Sequence, residues 1–139
     1  MIFERDHVAW LVVADSVNAK VYRLHLHPTR LTAVPSDQVQ GIDTVVQDLE
    51  SDTHGGAQRH RKAEFGRKVA LALDAAHNNK LFQDLVLVAP APALGDIRGA
   101  MSPALREAVV LEITGEWTGL SDAQVLGHLK HHLMPLATA

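Results

Sequence analysis

Residues 81–103 read LFQDLVLVAPAPALGDIRGAMSP, and the expected fold turns on that stretch. Residues 85–89, LVLVA, are apolar without interruption. A strand with no polar alternation is usually buried on both faces, inside a sheet that carries helices on either side. Pro90 and Pro92 stop the run, since neither has an N–H for a strand ladder. A short helix is expected over residues 93–101, with Ser102-Pro103 as N-cap and first residue of one more turn. Leu94-Gly95-Asp96-Ile97-Arg98-Gly99 follows the strand, so phosphate binding at a helix N-terminus is conceivable there. One useful glycine and two prolines make a poor anion cradle. The preferred reading is structural: Gly95 permits close packing, and Arg98 faces solvent or a carboxylate.

The segments on either side give this strand its neighbours. Upstream, residues 59–80 carry Ala63, Val69, Ala70, Leu73 and Ala76 at three- and four-residue spacings, with Phe65 close to that stripe. This is an amphipathic helix, ended by His77-Asn78-Asn79. Further upstream, residues 8–14 (VAWLVVA) form a second buried strand, and residues 15–18 a turn cluster. Residues 19–27 alternate, with Val21, Arg23, His25 and His27 on one face and Tyr22, Leu24 and Leu26 on the other. That pattern gives a half-buried strand in a hairpin with the first. Residues 31–34 add a short third strand. Downstream, residues 108–114 (AVVLEIT) are β-branched enough to be a strand, although SPALREAVVLEI also fits a helix. Ser121-Asp122-Ala123-Gln124 has capping-box form and opens a helix to about Leu133. The expected order is β-β-β-α-β-α-β-α. It gives a single-domain α/β fold with a mixed five-stranded sheet, an antiparallel meander extended by two strands through right-handed crossovers.

Composition narrows the function classes. The 139 residues contain no cysteine and carry a net charge of −3. Disulfides and thiolate chemistry are excluded, and a cytoplasmic setting is expected. The N-terminal run is too short for a signal peptide core, and no stretch suggests a membrane span. A slightly acidic chain is not drawn to nucleic acid as a whole, so such binding would need a local patch. His25 and His27 on one strand face, and His128, His131 and His132 on one helix, have spacings that can hold a metal. Neither set has a carboxylate at a recognisable spacing. No metal site and no cofactor is expected, and nucleophile and phosphate-loop motifs are absent.

Residues 36–58 form the irregular part of the chain, a long loop expected to be flexible. It leads into residues 53–68, THGGAQRHRKAEFGRK, which hold Arg59, Arg61, Lys62, Arg67 and Lys68 against Glu64. Gly55 and Gly56 allow positive φ and close approach to a ligand. The cations come where the chain enters a helix, whose N-terminus adds partial positive charge. Two accounts fit this stretch equally: a contact surface for a phosphate backbone, or a flexible loop and solvated helix face balancing the acidic segment before it.

Four stretches together resemble the bacterial host attachment protein family: VAWLVVADSVNAKVYRL, the segment before the basic helix, FQDLVLVAPAPALGDIRGAMSPALREAV and EWTGLSDAQVLGHL. The resemblance covers nearly the whole chain. The family's members are named as proteins required for attachment to host cells. The family in turn resembles the middle domain of class I archaeal and eukaryotic release factors and of Pelota, which implies an RNase H-like topology. In release factors a Gly-Gly-Gln motif before the long helix helps water attack the peptidyl-tRNA ester. Gly55, Gly56 and Gln58 stand in that place, with Ala57 inserted, so the glutamine comes one residue later. These 139 residues show no resemblance to the decoding or C-terminal domains of a release factor. The resemblance therefore implies an RNA-associated relative whose partner is tRNA or the ribosome. Gly55 and Gly56 would form its tip, and Arg59, Arg61, Lys62, Arg67 and Lys68 its contact surface. Two alternatives stand beside it. One is a hydrolase of peptidyl- or aminoacyl-tRNA esters, with Gln58 orienting water and His54 or His60 nearby. The other is an indirect role in attachment without nucleic-acid binding.

Overall fold

A computed structural model describes residues 7–39 and 55–137. Strands β1 (Ala9–Ala14), β2 (Ala19–His25) and β3 (Arg30–Ala33) come first, followed by a 3-10 turn (Ser36–Gln38). Helix α1 (Gly55–Asn78), β4 (Asp84–Ala89), α2 (Ala91–Ala100), α3 (Pro103–Ala108), β5 (Val109–Thr114) and α4 (Asp122–Ala137) complete the order. The protein is a mixed α/β fold, with a five-stranded mixed sheet and four α-helices among the described residues.

The sheet order is β3-β2-β1-β4-β5. β1 pairs antiparallel with β2, and β2 with β3, which is the expected meander. β4 pairs parallel with β1 on one side and with β5 on the other. Every residue of β1 and β4 is buried. The period of two sends alternate side chains to two separate cores. Trp10, Val12, Ala14, Leu85, Leu87 and Ala89 pack against helices α1 to α3. Leu11, Val13, Val86 and Val88 join Tyr22, Ile113 and Trp117 under Val125, Leu129 and Leu133 of α4. Asp84 is the one buried charged residue among those described. His7 answers it, its Nδ1 lying 3.1 and 3.3 Å from the two carboxylate oxygens.

Several boundaries differ from the sequence expectation, each for a local reason. The β4–β5 crossover holds two helices rather than one, so the order gains an element. Met101 is extended at φ −73° and ψ 143°, which breaks the helix. Ser102 then restarts it: its Oγ accepts from Leu105 N at 3.1 Å, with Pro103 as first helical residue. Ser102 Oγ also donates to Asp74 of α1, and Ser102 N donates to the same carboxylate at 3.2 Å. β2 stops at His25, since His27 has a left-handed φ of 59° and leaves the strand. α1 starts at Gly55, four residues earlier than expected, and the chain turns after it at Lys80 with φ 63°. At α4 the capping box forms as read. Gln124 N donates to Ser121 Oγ at 3.2 Å, and Ser121 N donates to Gln124 Oε1 at 2.9 Å.

Close helix packing falls on a different glycine from the one expected. A Cβ on Gly95 would meet nothing within 4 Å, whereas one on Gly66 would lie 2.8 Å from Asp96 Cβ. Gly66 is what lets α1 and α2 approach. Gly66→Ala should therefore destabilise the protein by about 1–3 kcal/mol through overpacking. Gly95→Ala should be neutral or add up to about 1 kcal/mol through helix propensity. Chemical denaturation of the two variants checks the contrast. A second prediction concerns Tyr22, the sole tyrosine. Its hydroxyl donates to Asp122 Oδ1 at 2.7 Å. Burial first, then the Asp122 hydrogen bond and charge, hold its pKa far above the ordinary 10.0. In the unfolded chain it ionises near the ordinary value, so stability should fall as pH rises past about 10. Tyrosinate absorbance should appear only at higher pH in the folded protein, and Asp122→Asn should move it down.

Candidate nucleic-acid interface

The basic residues lie on a helix, not on a loop. Gly55, Gly56, Ala57 and Gln58 form the first turn of α1. Residues 40–54, including His54 and most of the expected loop, lie outside the described residues, as do the side chains of residues 55–58. Gln58, the candidate for orienting water, is thus a helical position.

α1 is longer than the core needs. Its 24 residues span about 36 Å at the α-helical rise, while the six residues of β4 span about 20 Å. The first fully buried side chain of α1 among those described is Phe65, followed by Val69, Ala70, Ala72, Leu73 and Ala76. None of residues 59–64 is fully buried. This N-terminal section contributes little to the core and carries Arg59, His60, Arg61 and Lys62 in succession.

The cations are not equivalent. Arg59 is clamped to Asp96 of α2, with Nη1 to Oδ2 at 2.9 Å and Nη2 to Oδ1 at 3.1 Å. The Asp96 side chain is only 13% exposed, so Arg59 is its counter-ion, and the Asp96 hydrogen bond and charge raise the Arg59 pKa further. Arg67 pairs with Glu64 at 3.2 Å across one turn and is 62% exposed. Lys62 and Lys68 are half-buried, and Arg61 is half-buried with a polar partner of its own. The pairing of Arg59 followed from no pattern local to residues 53–68, because its carboxylate comes from a helix 37 residues away.

The other candidates resolve as structural features. Residues 94–99 lie inside α2, which starts at Ala91 after Pro90, so they do not form a helix N-terminus. Arg98 meets a carboxylate, donating to both oxygens of Glu112 at 2.7 and 3.2 Å. His25 Nε2 is 2.9 Å from Thr32 Oγ1. Desolvation, then Arg30 and Arg23, lower its pKa. His27 lies beyond the strand and does not share its geometry. His128 and His132 both flank the buried Trp117 ring, with centroids 5.6 and 5.8 Å away. No group of three or more His, Cys, Asp or Glu among the described residues is placed to hold a metal ion. Asp15, at the end of β1, is committed to its turn. Its carboxylate accepts from Val17 N, Asn18 N and Thr118 Oγ1 at 2.8, 2.6 and 2.7 Å. No helix of the described residues is long and apolar enough to cross a membrane.

Fold and surface together define an α/β sandwich whose longest helix carries a cationic N-terminal section. The family described as "Protein required for attachment to host cells" matches residues 10–129, and the chain belongs to it. No curated protein matches the chain.

The geometry separates structural from surface arginines, and stability measurements can test that split. Arg59→Ala should lower the thermal midpoint, because it leaves a partly buried carboxylate without its partner. Adding Asp96→Ala should restore most of the loss. Arg67→Ala should leave the midpoint near wild type, since exposed pairs contribute about 0–1 kcal/mol.

Proposed function

We propose that this family member is an intracellular RNA-binding module that contacts tRNA or the ribosome through the N-terminal section of α1. Its effect on host attachment would then be indirect. The observation that carries this reading is the run of Arg59, His60, Arg61 and Lys62 on a stretch of helix without a fully buried described side chain. A helix extended past its core with cations in sequence presents them to a phosphate backbone, and the positive end of the helix dipole adds to the attraction. The release-factor-like, RNase H-like reading draws support from the topology: a three-strand antiparallel meander extended by two parallel strands through helices. Fold likeness alone does not define chemistry, so binding rather than hydrolysis is the reading adopted.

The test is fluorescence anisotropy of a labelled single-stranded RNA against the full chain over a range of salt. Binding should weaken with salt by about 0.7 log units per log unit for each phosphate contacted. Replacing Arg61, Lys62, Arg67 and Lys68 together by Ala should weaken binding and reduce that slope. Unchanged affinity in the fourfold variant, with its fold intact by circular dichroism, would remove the proposal.

A further inference from the structure

The RNA reading leaves open where on the molecule a phosphate sits. The sheet topology narrows it. β1 and β4 are adjacent and parallel, so their carboxyl ends lie side by side. The chain leaves them in opposite directions: from β1 through the turn to β2, and from β4 through Pro90 into α2. In open α/β sheets the crevice outside two such carboxyl ends is where ligands bind.

α1 brings cations to that rim. Gly66 abuts Asp96 and Ile97, while Asp74, farther along α1, meets Ser102, just beyond α2. α1 and α2 therefore run in the same direction. Counting five residues back along each helix from the Gly66–Asp96 approach sets Arg61 opposite Ala91, the first residue of α2 after β4 ends. Helical spacing also puts the right residues on the inner side. Arg61 precedes Phe65 by four positions, and Lys62 precedes Val69 by seven, so both continue the stripe that faces the sheet. Phe65 and Val69 are wholly buried on it. One turn earlier the same stripe turns from apolar to cationic, at the height where the strands stop. Arg61 and Lys62 are half-buried, as is Lys68 farther along the helix, whereas Arg59, His60 and Arg67 are exposed. The turn after β1 adds the Ser16 hydroxyl at the same end of the sheet. Asp15, next to Ser16 in the chain, keeps its carboxylate turned to Val17 N, Asn18 N and Thr118 Oγ1.

We propose that Arg61 and Lys62, with Ser16 of the β1–β2 turn, seat a phosphate group at the carboxyl ends of β1 and β4. The inference rests on the RNA reading for the identity of the ligand, a phosphodiester of a single strand. Arg59 then holds α1 on α2 and does not touch the ligand. Arg67 and Lys68 lie farther along α1 and give only general attraction.

Two measurements on the full chain separate the seat from the wider reading. In amide NMR spectra, added inorganic phosphate should shift Ser16, Val17, Arg61 and Lys62 and leave the Arg67–Lys68 region unmoved. In RNA anisotropy, Lys62→Glu should weaken binding about tenfold and lower the salt slope by about 1, while Lys68→Glu stays within about twofold. If RNA binds but Lys62→Glu and Lys68→Glu weaken it equally, the seat is overturned and the RNA reading stands. Phosphate shifts at Ser16 and Lys62 without RNA binding in the wild type would keep the seat and overturn RNA as its ligand. Phosphate shifts spread evenly over the basic residues would overturn the seat outright.

Discussion

Parallel pairing of β1 with β4 is the constraint on which the rest depends. Both strands are buried along their whole length, so both faces of the sheet must be covered. The two cores share these strands through their alternating side chains. α1 to α3 cover one face and α4 the other. A parallel pair also needs long connections, which is why α1 spans from the meander back to the start of β4. Phe82, just before β4, closes that end of the core, its ring 4.7 Å from Trp10 and 5.4 Å from His77 of α1.

Magnitudes separate what holds the fold from what is available to a ligand. Truncating a buried aromatic such as Trp10 or Phe82 costs about 3–5 kcal/mol, whereas an exposed ion pair contributes about 0–1 kcal/mol. The stability of the protein therefore rests on its two apolar cores and on the contact of α1 with α2 at Gly66. Exposed cations of α1 can exchange partners at little cost to the fold. Arg59 is the exception, because it answers a carboxylate that the Gly66 contact has drawn out of water.

The architecture was legible in the sequence where period and caps agreed. The apolar runs at residues 8–14 and 85–89, the alternation through Tyr22 and Leu24, and the Ser121–Gln124 box each carried a local signal that tertiary packing reinforced. Boundaries set by single backbone angles were less legible: nothing in residue type announced His27 as a left-handed residue or Gly55 as helical, whereas Ser102-Pro103 did mark the restart after Met101. The cationic stretch was visible, but its division of labour was not. Asp96 lies far from Arg59 in sequence, and Gly66 rather than Gly95 makes the helix contact, so both facts depend on how α1 and α2 lie together. The histidine spacings permit chelation, although no metal site was expected from them; His25 meets Thr32, and the rings of His128 and His132 lie tilted beside Trp117.

A fold with two satisfied cores, and a helix that outruns one of them carrying cations, has a natural contact surface at that end. The central claim is that RNA meets the protein there. The most direct measurement is ultraviolet crosslinking of RNA that co-purifies with the full chain, with the crosslinked peptides identified by mass spectrometry. The account predicts crosslinks concentrated in residues 55–68 and in the β1–β2 turn. Crosslinks confined to α4 or β3, or a protein that purifies free of RNA and captures none when it is added, would contradict it.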